Sequence, residues 1–216
     1  MIKSIFAAAV IGAACMGAQA SSNLVLNGGM NGTTGSYVYN AAPPSVNVGI
    51  PKKAGTVADW TGSFVSIASN SSAWGNPSSL KGFSPATQGS FIAGVQADGT
   101  LSQALTLGES EYSLSWLTAN RGSFGSNQTY SVYFDGTLLD TVTTVRGAGW
   151  TMETVTFTSL TGGTGLSFVG DTKYNKTDAT SFIDNVSVSV VPEPTALLMM
   201  AFGTLGLLAW RRRASL

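Results

Sequence analysis

The chain has 216 residues, 11 basic and 11 acidic, so it is formally neutral, with 26 glycines and 44% hydrophobic residues. It contains no histidine and a single cysteine, Cys15. Those absences exclude a Ser-His-Asp triad, histidine general bases, the usual zinc ligand sets and a disulfide framework, and no basic stripe suggests nucleic acid.

In chain order, Met1-Ile2-Lys3 carries one positive charge and an apolar run follows from Ile5 to about Gly17. Ala18-Gln19-Ala20 then precedes a polar Ser21-Ser22-Asn23, which is the pattern of a secretory signal peptide over residues 1–20, cut after Ala20 by signal peptidase. Cys15 lies inside this run, and Gly12 replaces the large aliphatic residue that a lipoprotein signal would place three positions before it.

Residues 21–190 form one predicted domain, with seven basic against ten acidic side chains for a net charge of −3. Period-2 alternation recurs and helical periodicity does not. Glu111 to Thr118 alternates with Tyr112, Leu114 and Trp116 on one face. Thr129 to Asp135 and Leu138-Leu139 flank Asp135-Gly136, a dipeptide that favours a hairpin turn. Trp150 to Thr158 alternates with one slip, read as a bulge. Leu166 to Val169 and Phe182 to Val190 follow, separated by a polar loop, and Asn23 to Leu26 opens the domain. Nine or ten short strands with Gly-rich connections predict an all-β antiparallel β-sandwich or jelly roll. Residues 31–58 and 70–90, poor in apolar side chains, read as long loops at the sandwich edge, where recognition usually sits.

The chain closes with Val191-Pro192-Glu193-Pro194, an apolar run over 195–210 and a basic tail, 211–216, holding Arg211, Arg212 and Arg213. Sixteen helical residues span about 24 Å, enough for one slightly short transmembrane helix with the arginines on the cytoplasmic side. The two prolines lack N–H donors and keep the stretch before the helix extended. This tripartite tail resembles the PEP-CTERM sorting signal of Gram-negative bacteria. The resemblance implies that an exosortase processes the tail. The protein would then be anchored transiently in the inner membrane and released to the envelope, exopolysaccharide matrix or biofilm.

Asn27-Gly28-Gly29-Met30-Asn31 and Phe182-Ile183-Asp184-Asn185-Val186-Ser187-Val188 resemble the two bookends of galactose-binding-like jelly rolls, a group that includes many carbohydrate-binding modules. Asp59-Trp60, Gly99 to Leu105 and Gly149 to Met152 fit the same pattern. The resemblance implies a structural calcium ion between the first and last strands. Its carboxylates map onto Asp184 and onto Asn31, where an amide replaces the family's Glu and weakens a site that needs oxygen ligands. A purely structural role, capping turns, is the alternative for Asp184-Asn185.

Sugar recognition needs flat aromatic faces and polar edges. Trp116 alternates with Leu114 and Tyr112 and reads as core, and Trp60 and Trp150 occupy positions that look structural. Trp74 lies in a loop without apolar neighbours and reads as a stacking platform for polysaccharide, with Tyr37 and Tyr39 as further ligand-binding candidates. Arg121 ends a strand and is placed either to hydrogen-bond a ligand or to pair with an acid. No two carboxylates stand out as an acid/base pair, and most sit in turns, as in Asp98-Gly99 and Asp135-Gly136. The expectation is therefore a non-enzymatic carbohydrate-binding or matrix-building surface protein, with a glycoside hydrolase as the remaining alternative.

Overall fold

The computed structural model describes residues 22–30, 37–39, 57–68, 91–121, 127–160, 165–171 and 179–192. Among them run ten strands: β1 (Tyr37–Tyr39), β2 (Val65–Ala68), β3 (Phe91–Gln96), β4 (Thr100–Ala104), β5 (Ser110–Asn120), β6 (Gln128–Phe134), β7 (Thr137–Thr144), β8 (Thr151–Ser159), β9 (Gly165–Gly170) and β10 (Thr180–Val190). All pairings are antiparallel. The strands form a six-stranded sheet, ordered β1-β2-β3-β10-β5-β8, and a four-stranded sheet, ordered β4-β9-β6-β7. The all-β sandwich expected from the alternation is the fold observed. The apolar segment 195–210 and the signal segment 1–20 lie outside the described residues.

The alternating strands bury one face each. Tyr112, Leu114 and Trp116 of β5 meet Tyr130, Val132 and Phe134 of β6 in the layer between the sheets. Phe168 of β9 sits at its centre, fully buried, with ring centroids 5.7 Å from Trp116, 6.2 Å from Tyr130 and 6.5 Å from Trp60. The Trp116 indole N–H donates to the Tyr130 hydroxyl at 2.7 Å, so the polar ends of two buried rings satisfy one another. Burial pushes the Tyr130 phenol well above its ordinary range, and it stays neutral.

β3 and β10 do not alternate, because both of their faces are covered. Ala93, Val95, Ile183 and Val186 enter the layer between the sheets, while Ile92 and Phe182 join Val65, Ile67, Leu117, Ala119 and Trp150 in a second apolar cluster on the opposite face. β3 was therefore not among the expected strands. β1 is a further correction, since it falls inside the stretch 31–58 read as loop.

Two expectations about strand irregularity change. β8 pairs with β5 without interruption from Ser110↔Ser159 to Thr118↔Thr151, so the slip after Met152 is not a bulge. Met152 belongs to the outer face and Val155 and Phe157 to the inner one, which breaks the apparent register of apolar residues without bending the strand. The bulges lie elsewhere, at Leu139 of β7, opposite the step from Val132 to Tyr133, and between Asp184 and Ser187 in β10.

The opening segment Asn23–Leu26 is irregular, leading into a turn, and not a strand; the Leu24 N–H, donating to the Val188 carbonyl at 2.8 Å, and side-chain amides hold it to the sheet. Asn23 Nδ2 donates to the Val186 carbonyl and its Oδ1 accepts from the Val188 N–H, both at 3.0 Å, so one side chain imitates a peptide unit beside β10. Gln103 does the same for Leu26, accepting from its N–H at 2.9 Å and donating to its carbonyl at 2.7 Å.

Candidate functional site

The two bookend segments meet at the end of β10. Asn27 adopts a left-handed φ of 48° and Met30 one of 54°, which curls Asn27-Gly28-Gly29-Met30 into a tight turn. Met30 drops into the core with no exposed surface. The Asn27 carbonyl accepts from the Trp60 indole at 3.0 Å, which confirms Trp60 as a structural anchor. Gly28 lies against β10: its carbonyl accepts from Val186 N–H at 3.0 Å, and a Cβ there would stand 2.1 Å from the Val186 oxygen. No side chain fits this approach. Gly28→Ala is expected to cost roughly 2–4 kcal/mol by separating the bookends. Gly136→Ala, with φ of 76° but nothing within 4 Å, should cost only the local backbone strain of about 1–2 kcal/mol. Urea denaturation of the two variants separates these cases.

Asp184 lies beside this junction, at the bulge of β10. It is fully buried on the face shared with Leu117, its register partner, and with Phe182. Its Oδ1 accepts from the Asn185 N–H at 2.7 Å, and Asn185 takes a left-handed φ of 52°. Its Oδ2 is buried without a hydrogen-bond partner. Burial pushes the carboxyl up to about 7, opposed only by the Asn185 amide. An orphaned, buried carboxylate oxygen suits a hard cation that wants oxygen ligands. The described residues contain no group of three metal-binding side chains, so backbone carbonyls and amides would have to complete such a shell. Asn31, the other expected ligand, lies outside the described residues.

The outer face of the four-stranded sheet is a second candidate surface. Register places Ser102, Ser167, Tyr133 and Leu138 in one row across β4, β9, β6 and β7, and Thr100, Val169, Ser131 and Thr141 in the next. Ser131 and Thr141 hydroxyls lie 3.2 Å apart and those of Thr129 and Thr143 2.8 Å apart. None of these strand residues is charged. Tyr133 is half-buried among them and offers an aromatic ring on a hydroxyl-rich plane. Tyr133 is not among the ligand-binding candidates drawn from the sequence. The available signal was its alternation with buried Tyr130, Val132 and Phe134, which turns it outward.

The remaining predicted residues are dispersed. Tyr37 and Tyr39 lie on edge strand β1, opposite Ile67 and Val65 in register. Arg121 follows β5 and is 8% exposed, with its main-chain N–H donating to Thr180. It belongs to the packed interior next to β10 and not to an open surface. Trp116 and Trp150 are buried, as expected for core residues. Asp59 and Asp135 take left-handed φ values of 69° and 50°, in keeping with turn roles. Trp74, Glu193, Pro194, Arg211, Arg212 and Arg213 lie outside the described residues, while Pro192 stands two residues past the end of β10.

Fold and tail together define a class: an antiparallel two-sheet β-sandwich followed by a sorting signal. Residues 190–213 match the PEP-CTERM protein-sorting motif, which marks an exosortase-processed secreted protein of the cell envelope. A comparison with curated protein sequences finds no match. Among solved structures, the chain is similar to the CBM22-1 xylan-binding domain of Paenibacillus barcinonensis Xyn10C, at 12% identity and a TM-score of 0.45, covering 82% of this chain and 99% of that one. It is also similar to a family 35 carbohydrate binding module from Clostridium thermocellum, at 13% identity and a TM-score of 0.39, covering 52% and 87%. A third is TmCBM61 in complex with beta-1,4-galactotriose, at 17% identity and a TM-score of 0.36, covering 62% and 90%.

Proposed function

We propose that this is a non-catalytic, exosortase-sorted surface protein that binds an uncharged polysaccharide in the envelope or exopolysaccharide matrix of a Gram-negative cell. The observation that carries the binding half is the uncharged outer face of β4-β9-β6-β7. Its rows of Ser and Thr hydroxyls supply donors and acceptors for sugar hydroxyls without charge, and Tyr133 supplies a stacking surface. Trp74, in a stretch rich in Ser, Asn, Gly and Pro, is the second proposed platform, with Tyr37 and Tyr39 as further contacts. The sorting motif supports delivery to a compartment rich in such polymers. In this reading signal peptidase removes residues 1–20, and the 195–210 helix holds the chain in the inner membrane until exosortase acts. Asp184 contributes one ligand to a structural calcium ion, with Asn31 as a neutral one.

Retention on a panel of neutral polysaccharides, including the host's own exopolysaccharide, tests the proposal. Loss of an aromatic platform typically costs about 1–3 kcal/mol, so Tyr133→Ala or Trp74→Ala should cut affinity by roughly 5- to 100-fold. Wild-type protein that is retained by no glycan would overturn the binding half. It would leave a purely structural matrix protein whose hydroxyl-rich faces contact the polymer without a discrete site.

A further inference from the structure

A sandwich of two open sheets has four edges, and here they are managed unequally. β1 is 3 residues long and β4 is 5, too short to template a new strand well. β7 carries Asp140 and pairs with β6 through a register shift. β8 differs from all three. It is 9 residues long, pairs with β5 without a shift, and contains no Pro, Lys or Arg and only one acid, Glu153. Among the described residues no bulge, proline or lysine guards this edge, and the inward-facing Glu153 is its one protecting charge.

The direction of its backbone groups can be worked out. Val191 N–H donates to the Glu111 carbonyl at 2.9 Å, so the peptide groups of Glu111 turn toward β10. Alternation then turns those of Tyr112, Leu114 and Trp116 toward β8, where they meet Phe157, Val155 and Glu153. The groups of Met152, Thr154, Thr156 and Thr158 are left pointing outward along the free edge. These four side chains are also exposed, Met152 by 58%. Leu160, just past the strand end, is exposed by 74%. Thr156 stands four residues from Met152 and four from Leu160, so the two exposed apolar side chains are placed symmetrically about it.

We propose that β8 is a homotypic docking edge, which pairs antiparallel with β8 of a second copy about a two-fold axis through Thr156. In that register Thr156 faces its own counterpart as a hydrogen-bonded pair, Thr154 faces Thr158, and Met152 of each copy faces Leu160 of the other. Every outward peptide group of the edge finds a partner, and four exposed apolar side chains cover one another in two pairs. Charge agrees with this occupant. Glu153 faces Ser159 across the axis, and the two Glu153 carboxylates stand roughly 20 Å apart, beyond a Debye length. The product is one continuous sheet across both copies. Its outer face extends the rows Ser113-Thr156 and Ser115-Thr154 into a single hydroxyl plane.

Cysteine pairing reads the register directly, using the full chain in detergent on a Cys15→Ala background. A hydrogen-bonded antiparallel pair holds its Cα atoms about 5.5 Å apart, within the range a disulfide spans. An equal mixture of Met152→Cys and Leu160→Cys proteins, oxidised with diamide, should give a covalent heterodimer. Either variant alone should give little, because two copies of Met152 or of Leu160 lie far apart along the strands. Adding Thr156→Lys to both places two ammonium groups face to face and should cut the product about tenfold or more, with the melting temperature unchanged. The same lysine at Ser113, on the neighbouring strand, should leave cross-linking intact. Equal product from the single variants, none from the mixture, or product that survives Thr156→Lys would each overturn the proposal. So would a mixture that stays uncoupled while β8 captures an extended peptide of another protein.

Discussion

In the presence of a chelator, the melting temperature is expected to fall as the pH is raised from 4 to 7 and then to level off. The cause is Asp184, whose carboxyl is pushed up to about 7 in the folded state by burial, against an ordinary value of 3.8. The folded chain holds this proton over a range in which the unfolded chain has released it. Its contribution is therefore complete below about pH 4 and lost as the pH passes through 7. Three pH units correspond to about 4 kcal/mol at most, or roughly 8–16 °C for a domain of this size. Asp184→Asn removes the titration and keeps an oxygen for the Asn185 amide. That variant should show a nearly flat profile and melt above the wild type at pH 8.

Calcium should narrow that gap. A cation on Oδ2 replaces the proton, and saturation at a hundred times the dissociation constant stabilises by about 2.7 kcal/mol. Millimolar calcium should thus raise the wild-type melting temperature at pH 8 and leave Asp184→Asn unmoved. A wild type that responds to pH but not to calcium would make Asp184 a buried neutral acid and end the metal proposal. A flat profile in the chelator would remove the premise of both.

Phe168→Ala is the core substitution with the largest expected effect. The ring contacts Trp60, Trp116 and Tyr130 and is wholly buried, so its loss removes the transfer free energy and leaves a cavity between the sheets. About 3–5 kcal/mol should be lost, a large share of the total stability of a domain this size. Tyr130→Phe keeps the packing and removes the hydroxyl that accepts from the Trp116 indole N–H and also hydrogen-bonds Thr118, which costs roughly 1–3 kcal/mol. Urea unfolding followed by tryptophan fluorescence distinguishes the two. A Phe168→Ala variant within 1 kcal/mol of wild type would show that the layer repacks and that no single ring organises it.

Both bookends were legible as residues, and the resemblance implied their meeting, but the contacts that join them were not legible. Asn23 and Gln103 read as ordinary polar side chains, because nothing local marks an amide that will stand in for a strand. Only the fold brings them beside β10 and Leu26. Tyr133 was hidden for a related reason. Its outward direction follows from alternation, but its use depends on the uncharged neighbours that β4, β7 and β9 bring alongside.

What the sequence determined by itself was the class and the address. Strict alternation in β6 and in the first half of β5 makes stretches with one buried face, and the Pro-Glu-Pro tail with its arginines is a linear signal. The tertiary structure decided the rest. β3 and β10 are covered on both faces and lose the alternation that would announce them. The raised carboxyl of Asp184 arises because the chain closes over it, and the outer groups of β8 are free because no other strand among the described residues pairs there. Periodicity is a property of neighbours along the chain, whereas burial and edge status depend on residues far apart in it.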